Sequence, residues 1–164
     1  MILYHGSTAN INTILLEKSK PYKDFGKAFY LSAEKVQATQ LAESRVAFLG
    51  GEVVINEYEF DENILVESTD EPLNVKIFPR YSLEWAEFVW NNRDEEQDYK
   101  HDYDIVFGPI ANDTIGYQMR QYRREFTDLR GFLQGLKYHK GETFPYAFCT
   151  ERALRYLKKY DERQ

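Results

Sequence analysis

The apolar residues of this chain keep two different periods, and the order in which those periods follow one another restricts the fold more than any other feature. Alternation of period two marks strands, and recurrence at i, i+3, i+4 marks helices packed on a core. Strand-like runs fall at Ile2 to His5, Ala28 to Leu31, Val53 to Phe60, Ile64 to Val66, Ile105 to Phe107 and Tyr146 to Cys149. Helical spacing is carried by Ala38, Leu41 and Ala42 after Ser32, by Trp85, Phe88 and Val89 after Ser82, and by Ile115, Met119 and Tyr122 after Asp113 or Thr114. It recurs at Leu129, Phe132, Leu133 and Leu136 after Thr127, and at Ala153, Leu154 and Leu157 after Thr150. Hydroxyl and carboxylate residues before such runs are helix caps, and Gly50-Gly51 ends the first helix cheaply. Strands and helices are mixed without a regular βαβ rhythm, so the class is α+β rather than a doubly wound sheet.

A chain of 164 residues fits one domain, read as 1–164, with no internal repeat, linker or low-complexity segment. The single cysteine, Cys149, excludes an internal disulfide and fits a reducing compartment; beside Phe148 in a strand it is expected to be buried and inert. Met1-Ile2-Leu3 runs directly into a strand, and no apolar run approaches the about 20 residues of a membrane span. The expectation is a soluble, cytoplasmic protein without membrane association. Net charge is −6, unevenly spread: residues 114–164 carry 11 Lys/Arg against 6 Asp/Glu, or +5, leaving −11 for the remainder. That asymmetry excludes a protein that coats nucleic acid wholesale but allows a local basic surface.

Two short segments stand out chemically. Leu3-Tyr4-His5-Gly6-Ser7 ends an apolar strand on a histidine, which puts an imidazole at the lip of a sheet beside a bare glycine backbone. In Asp24-Phe25-Gly26-Lys27-Ala28-Phe29-Tyr30-Leu31-Ser32, Gly26 permits a tight turn into a strand that ends near the flat ring of Tyr30. Taken singly, each residue is as readily a core or strand-end residue as a ligand contact.

Together the two segments resemble the NAD+-binding half of the ADP-ribosyltransferase superfamily, in the His–Tyr–Glu branch that includes the poly(ADP-ribose) polymerases and diphtheria-type toxins. The rest of the chain is similar to an uncharacterised bacterial family of that superfamily, often found in toxin–antitoxin-like gene pairs. The segments that carry this are Ser82-Leu83-Glu84-Trp85-Ala86-Glu87-Phe88-Val89, Asn92-Arg93, Tyr103 through Asp113, and Phe148-Cys149-Thr150-Glu151-Arg152-Ala153-Leu154. The resemblance implies a split, mostly antiparallel β-sheet with flanking helices and NAD+ in the cleft between its halves. It implies that His5 hydrogen-bonds a ribose hydroxyl, that Gly6 meets the nicotinamide carboxamide through its main chain, and that Tyr30 lies against the cationic nicotinamide ring. Ser7, Gly26 and Gln37 complete the NAD+-binding set by the same likeness. The implied activity is cleavage of the nicotinamide–ribose bond and transfer of ADP-ribose to a protein or nucleic acid, as a toxin that an antitoxin partner would restrain.

The third family residue, a Glu or Gln heading a late strand, has no counterpart. Pro145 stands at that position, and Glu142 three residues earlier is the nearest carboxylate, open to a reading as displaced catalytic acid or as a loop solubiliser. Transfer with a displaced acid, weak transfer, and a retained nucleotide pocket without transfer all stay open, the last being a binding module on a degenerate transferase fold. Arg120, Arg123, Arg124 and Arg130, interleaved with Tyr117 and Tyr122, offer a docking surface for a nucleic-acid or protein acceptor or for an acidic antitoxin, or else form a solvated helix face. His5, His101 and His139 lack any paired ligand spacing, so no zinc site is expected.

Overall fold

The computed structural model describes residues 1–66, 70–137, 139 and 143–161. Seven strands and five helices follow in the order β1 (Ile2–Ser7), β2 (Phe29–Leu31), α1 (Lys35–Leu49), β3 (Val54–Phe60), β4 (Val75–Ile77), α2 (Leu83–Arg93), β5 (Ile105–Phe107), α3 (Asp113–Arg123), α4 (Leu129–Lys137), β6 (Tyr146–Phe148), α5 (Glu151–Leu154) and β7 (Leu157–Lys159). They form two sheets, one ordered β1-β3-β7 and the other β2-β6-β5-β4. Every neighbouring pair is antiparallel except β4 with β5. The sheets touch through one isolated bridge, Tyr4 to Ser32, closed by two backbone hydrogen bonds of 2.8 Å each. The architecture is α+β, with two mostly antiparallel sheets and flanking helices.

Strand alternation sorts the core into two layers. Ile105, Tyr146 and Phe148 face the three-stranded sheet, where they pack with Leu3, Phe29, Tyr58 and Phe60. Val106 and Ala147, the residues between them, face the helices and meet Phe78, Trp85, Val89, Ile115 and Phe132. Each large side chain buried there contributes roughly 2–3 kcal/mol. Trp85 also needs a partner for its indole N–H, and donates to the Pro109 carbonyl at 2.7 Å. Ser82 caps α2 as the sequence indicates, accepting from the Trp85 N–H, and Thr150 does the same for α5.

Several boundaries differ from the sequence reading. Ile64 to Val66 is not a strand: the Asp61 side chain accepts from the Asn63 N–H and starts a 3-10 turn at Glu62–Leu65. Leu157 belongs to β7 rather than to the last helix, which ends after one turn so that Leu157 can pair opposite Phe60. Asn112, not Asp113 or Thr114, caps α3 by accepting from the Ile115 N–H, and the Asp128 side chain accepts from the Gly131 N–H at the start of α4. The short strand β4 carries no clear alternation and was not legible. Ser32 serves a turn before α1, accepting from the Glu34 N–H and donating to Gln37 Oε1.

Helix α1 lies unusually close to β1. Its buried residues are Ala38 and Ala42, while Leu41, expected inward, is 46% exposed. The approach is possible because Gly6 lacks a side chain: a Cβ there would collide with the Ala38 carbonyl and come to 3.1 Å from the Ala42 Cβ. Gly6→Ala is therefore expected to lower unfolding free energy by about 3 kcal/mol or more in urea titration. Gly50→Ala has open space around it, but at φ +76° and ψ −174° the backbone is in a region that only glycine enters readily, so it should cost roughly 1–3 kcal/mol from strain alone.

Candidate functional site

A cleft opens where the two sheets part. Past the Tyr4–Ser32 bridge, β1 continues to Ser7 paired only with β3, while the chain leaves β2 for α1. The space so formed has a volume of about 440 Å³, within the usual range for small-molecule sites. Tyr4, Gly6, Tyr30 and Gln37 line it from the β1, β2 and α1 side, and Lys23, Asp24, Arg93 and Pro145 from the other.

The structure brings His5 and Tyr30 together across 25 residues. His5 Nδ1 lies 2.7 Å from the Tyr30 carbonyl oxygen. A carbonyl can only accept, so Nδ1 carries the hydrogen and Nε2 is left as an acceptor. The ring is stacked on Phe29 at 4.2 Å and only 9% exposed. Burial pushes its pKa down from 6.5 to about 4 against the pull of the Tyr30 carbonyl, with Arg45, Lys23 and Lys159 adding to the depression. The imidazole is therefore neutral at pH 7. Its side chain sits behind the cleft wall rather than at the lip, and its neighbours Tyr4 and Gly6 form that wall.

Gly6 contributes main chain. Because both backbone groups of Tyr4 bond across to Ser32, the alternation of the strand turns the Gly6 N–H and carbonyl to the same side, toward the gap. Arg45 donates to that carbonyl at 2.9 Å, which leaves the N–H for a ligand. Ser7 is not at the cleft; it pairs with Val54, and its Oγ accepts from the Ala9 N–H.

Tyr30 is fixed by its hydroxyl, which donates to the Gly26 carbonyl at 2.8 Å and accepts from the Phe25 N–H at 3.1 Å. Burial raises its pKa, so it stays a neutral phenol. Gly26, at φ +82°, acts on the site through this bond, since a left-handed residue is needed where the loop doubles back to the ring. Lys23 lies over the Tyr30 ring, its ammonium 5.3 Å from the centroid. Gln37 Oε1 accepts from Ser32 Oγ at the cleft edge.

Pro145 lines the cleft at the head of β6 and offers no side-chain acceptor. Glu142 lies outside the described residues. Among the described residues the carboxylate that lines the cleft is Asp24, which sequence reasoning passed over. It is buried, accepts from Arg93 Nε at 2.7 Å and from the Ala111 N–H at 2.7 Å, and is thereby neutralised. Asp24, Arg93 and Ala111 each stand inside or beside the motif runs, but nothing in the sequence pairs positions 69 and 87 apart. On the far helices, Arg123 lies over Trp90 and pairs with Asp94, whereas Arg120 and Arg124 are exposed on α3 and Arg130 on α4. Burial pushes the Cys149 thiol up to about 12, which leaves it inert. Among the described residues no group of three or more His, Cys, Asp or Glu is placed to hold a metal ion, and no helix is long and apolar enough to cross a membrane.

A protein family described as "protein of unknown function (DUF3990)" matches residues 1–159, and the chain belongs to that family. No curated protein and no solved structure matches it.

The neutral His5 has a measurable consequence. Its folded pKa lies below the unfolded value, so as pH falls the unfolded chain takes up the proton first. Stability is then full above pH 6.5 and is lost down to about pH 4, by about 3 kcal/mol in all. Denaturant titrations between pH 7 and 4 should show this loss in the wild type and its absence in His5→Gln. His101, also lowered by burial, contributes in the same direction to both proteins, and the difference isolates His5.

Proposed function

We propose that this member of the DUF3990 family binds NAD+ in the cleft between its sheets and is an ADP-ribosyltransferase of the split-sheet type, a bacterial toxin that modifies a protein or nucleic acid. The observation that carries this reading is the Tyr30 ring standing in the cleft beside a glycine N–H turned into the gap, with the buried His5 holding the Tyr30 carbonyl from behind the wall. In this arrangement the Gly6 N–H donates to the nicotinamide carboxamide oxygen and the Tyr30 ring stacks on the cationic nicotinamide, while His5, behind the wall, positions the Tyr30 backbone through Nδ1. The C1′–N bond breaks with its electron pair leaving on nicotinamide. The acceptor then adds to the oxocarbenium-like ribose and gives up a proton. The acceptor docks on the basic helices, where Arg120 and Arg124 are exposed beside Arg123; an antitoxin covering that face would silence the protein.

One observation favours a second reading, a nucleotide-binding module that no longer transfers. Pro145 occupies the head of β6, and Asp24 is committed to Arg93, so neither supplies a free carboxylate to the developing positive charge.

Incubation with labelled NAD+ and a bacterial lysate tests both readings. The transferase releases nicotinamide and labels a macromolecule, and nuclease or protease digestion identifies the acceptor class. Tyr30→Ala, through loss of its ring, and His5→Ala, through loss of its hold on Tyr30, should each weaken NAD+ binding about tenfold or more, with circular dichroism unchanged. Binding without release would favour the module, and NAD+ affinity unaltered in both variants would refute the site.

A further inference from the structure

Among the described residues the charges around the cleft do not balance: its lining includes two cations, Lys23 and Arg93, and one carboxylate, Asp24. Asp24 is held by Arg93 and by the Ala111 N–H. No ion pair among the described residues involves Lys23. Its recorded contact is with the face of Tyr30. A further guanidinium, Arg45, reaches the cleft wall at the Gly6 carbonyl. A half-buried ammonium outside any ion pair is costly to desolvate; burial first, then Arg45 and Lys20, lower its pKa, with Asp24 pulling the other way.

The backbone beneath Lys23 is built for position. Tyr22 stands at φ +62° and Gly26 at φ +82°, and the Gly26 N–H closes the turn onto the Lys23 carbonyl at 2.9 Å. A non-glycine residue held in the left-handed region stores strain, which persists only where the surroundings enforce it. Asp24 supplies that enforcement by anchoring the turn to α2 and to the start of α3. The Lys23 main chain is thus fixed at the cleft wall, while its four-carbon stem remains free to swing off the Tyr30 ring.

We infer that Lys23 is the diphosphate-binding residue of this cleft, its ammonium leaving the Tyr30 face to the nicotinamide ring and pairing with the phosphates of a dinucleotide. The inference rests on the NAD+ reading and deepens it: one cation surrenders the aromatic face to another and takes the ligand's negative charge in exchange. It also makes the preferred ligand a phosphorylated dinucleotide rather than a free nucleoside.

Calorimetric titration with ADP, ADP-ribose and phosphate-free nicotinamide riboside tests it. Lys23→Met should weaken ADP and ADP-ribose about tenfold, the loss of one charge-assisted contact, and leave nicotinamide riboside binding as strong or stronger. Lys23→Arg should keep most of the ADP affinity, and melting temperature should hold in both variants, which a merely structural role would not produce. Equal ADP affinity in wild type and Lys23→Met overturns the inference, and if nicotinamide riboside still binds, the NAD+ reading survives it. Lys23-dependent ADP binding without any binding of nicotinamide riboside or NAD+ would support the phosphate site while refuting the NAD+ reading.

Discussion

Two backbone hydrogen bonds between Tyr4 and Ser32 hold the two sheets edge to edge, and the cleft exists because the ladder stops there. Had β1 and β2 stayed paired beyond this point, the Gly6 N–H would have been consumed by a neighbouring strand. Instead α1 rises directly from β2 and lies against β1, close enough that only glycine fits beneath Ala38. The edge groups of β1 thereby border a cleft instead of offering a free edge to another chain. Asn56 secures the other end of the strand: its amide bonds the backbone of Ala9 and Ile11 and keeps the loop after β1 folded back.

Two buried carboxylates fix long-range crossings, Asp24 at this opening and Asp104 away from it. Asp24 joins the turn before β2 to Arg93 at the end of α2 and to Ala111 before α3. Asp104 joins the start of β5 to Asn74, Thr150 and Arg152. Burial alone would raise the Asp104 pKa, but the bonds from Arg152, Thr150 and the Asn74 N–H outweigh it and hold it low. Ion pairs of this kind add little net stability over an apolar replacement, yet losing one partner strands a charge. Their effect here is geometric: Asp24 ties α2 to the cleft wall, and Asp104 ties α5 to the far end of the four-stranded sheet.

The electrostatics of the site follow from burial. A neutral His5 with Nδ1 committed to a carbonyl is a hydrogen-bond acceptor and positioner, not a proton donor. Tyr30, with its hydroxyl engaged twice, offers only its ring face. Among the described residues, the cleft lining has positive charge in surplus and no carboxylate at the head of β6.

The sequence by itself determined the helices and the core. Trp85, Phe88 and Val89 at helical spacing, the Ser82 and Thr150 caps, and the alternation at Ile105 to Phe107 are local patterns, and local patterns survive into the fold because they reflect backbone geometry and apolar burial. It also singled out His5, Gly6 and Tyr30, whose types carry their chemistry with them. Tertiary structure decided the rest. Whether position 6 can carry a side chain depends on how closely α1 approaches, and the structure leaves room only for glycine there. Leu157 turned from helix to strand because β3 had an open edge for it to pair with. The pairings of Asp24 with Arg93 and of Asp104 with Arg152 span 69 and 48 residues, and no periodicity extends that far. Charge neutralisation depends on distances between elements, and those are set only when the two sheets and the helices have packed.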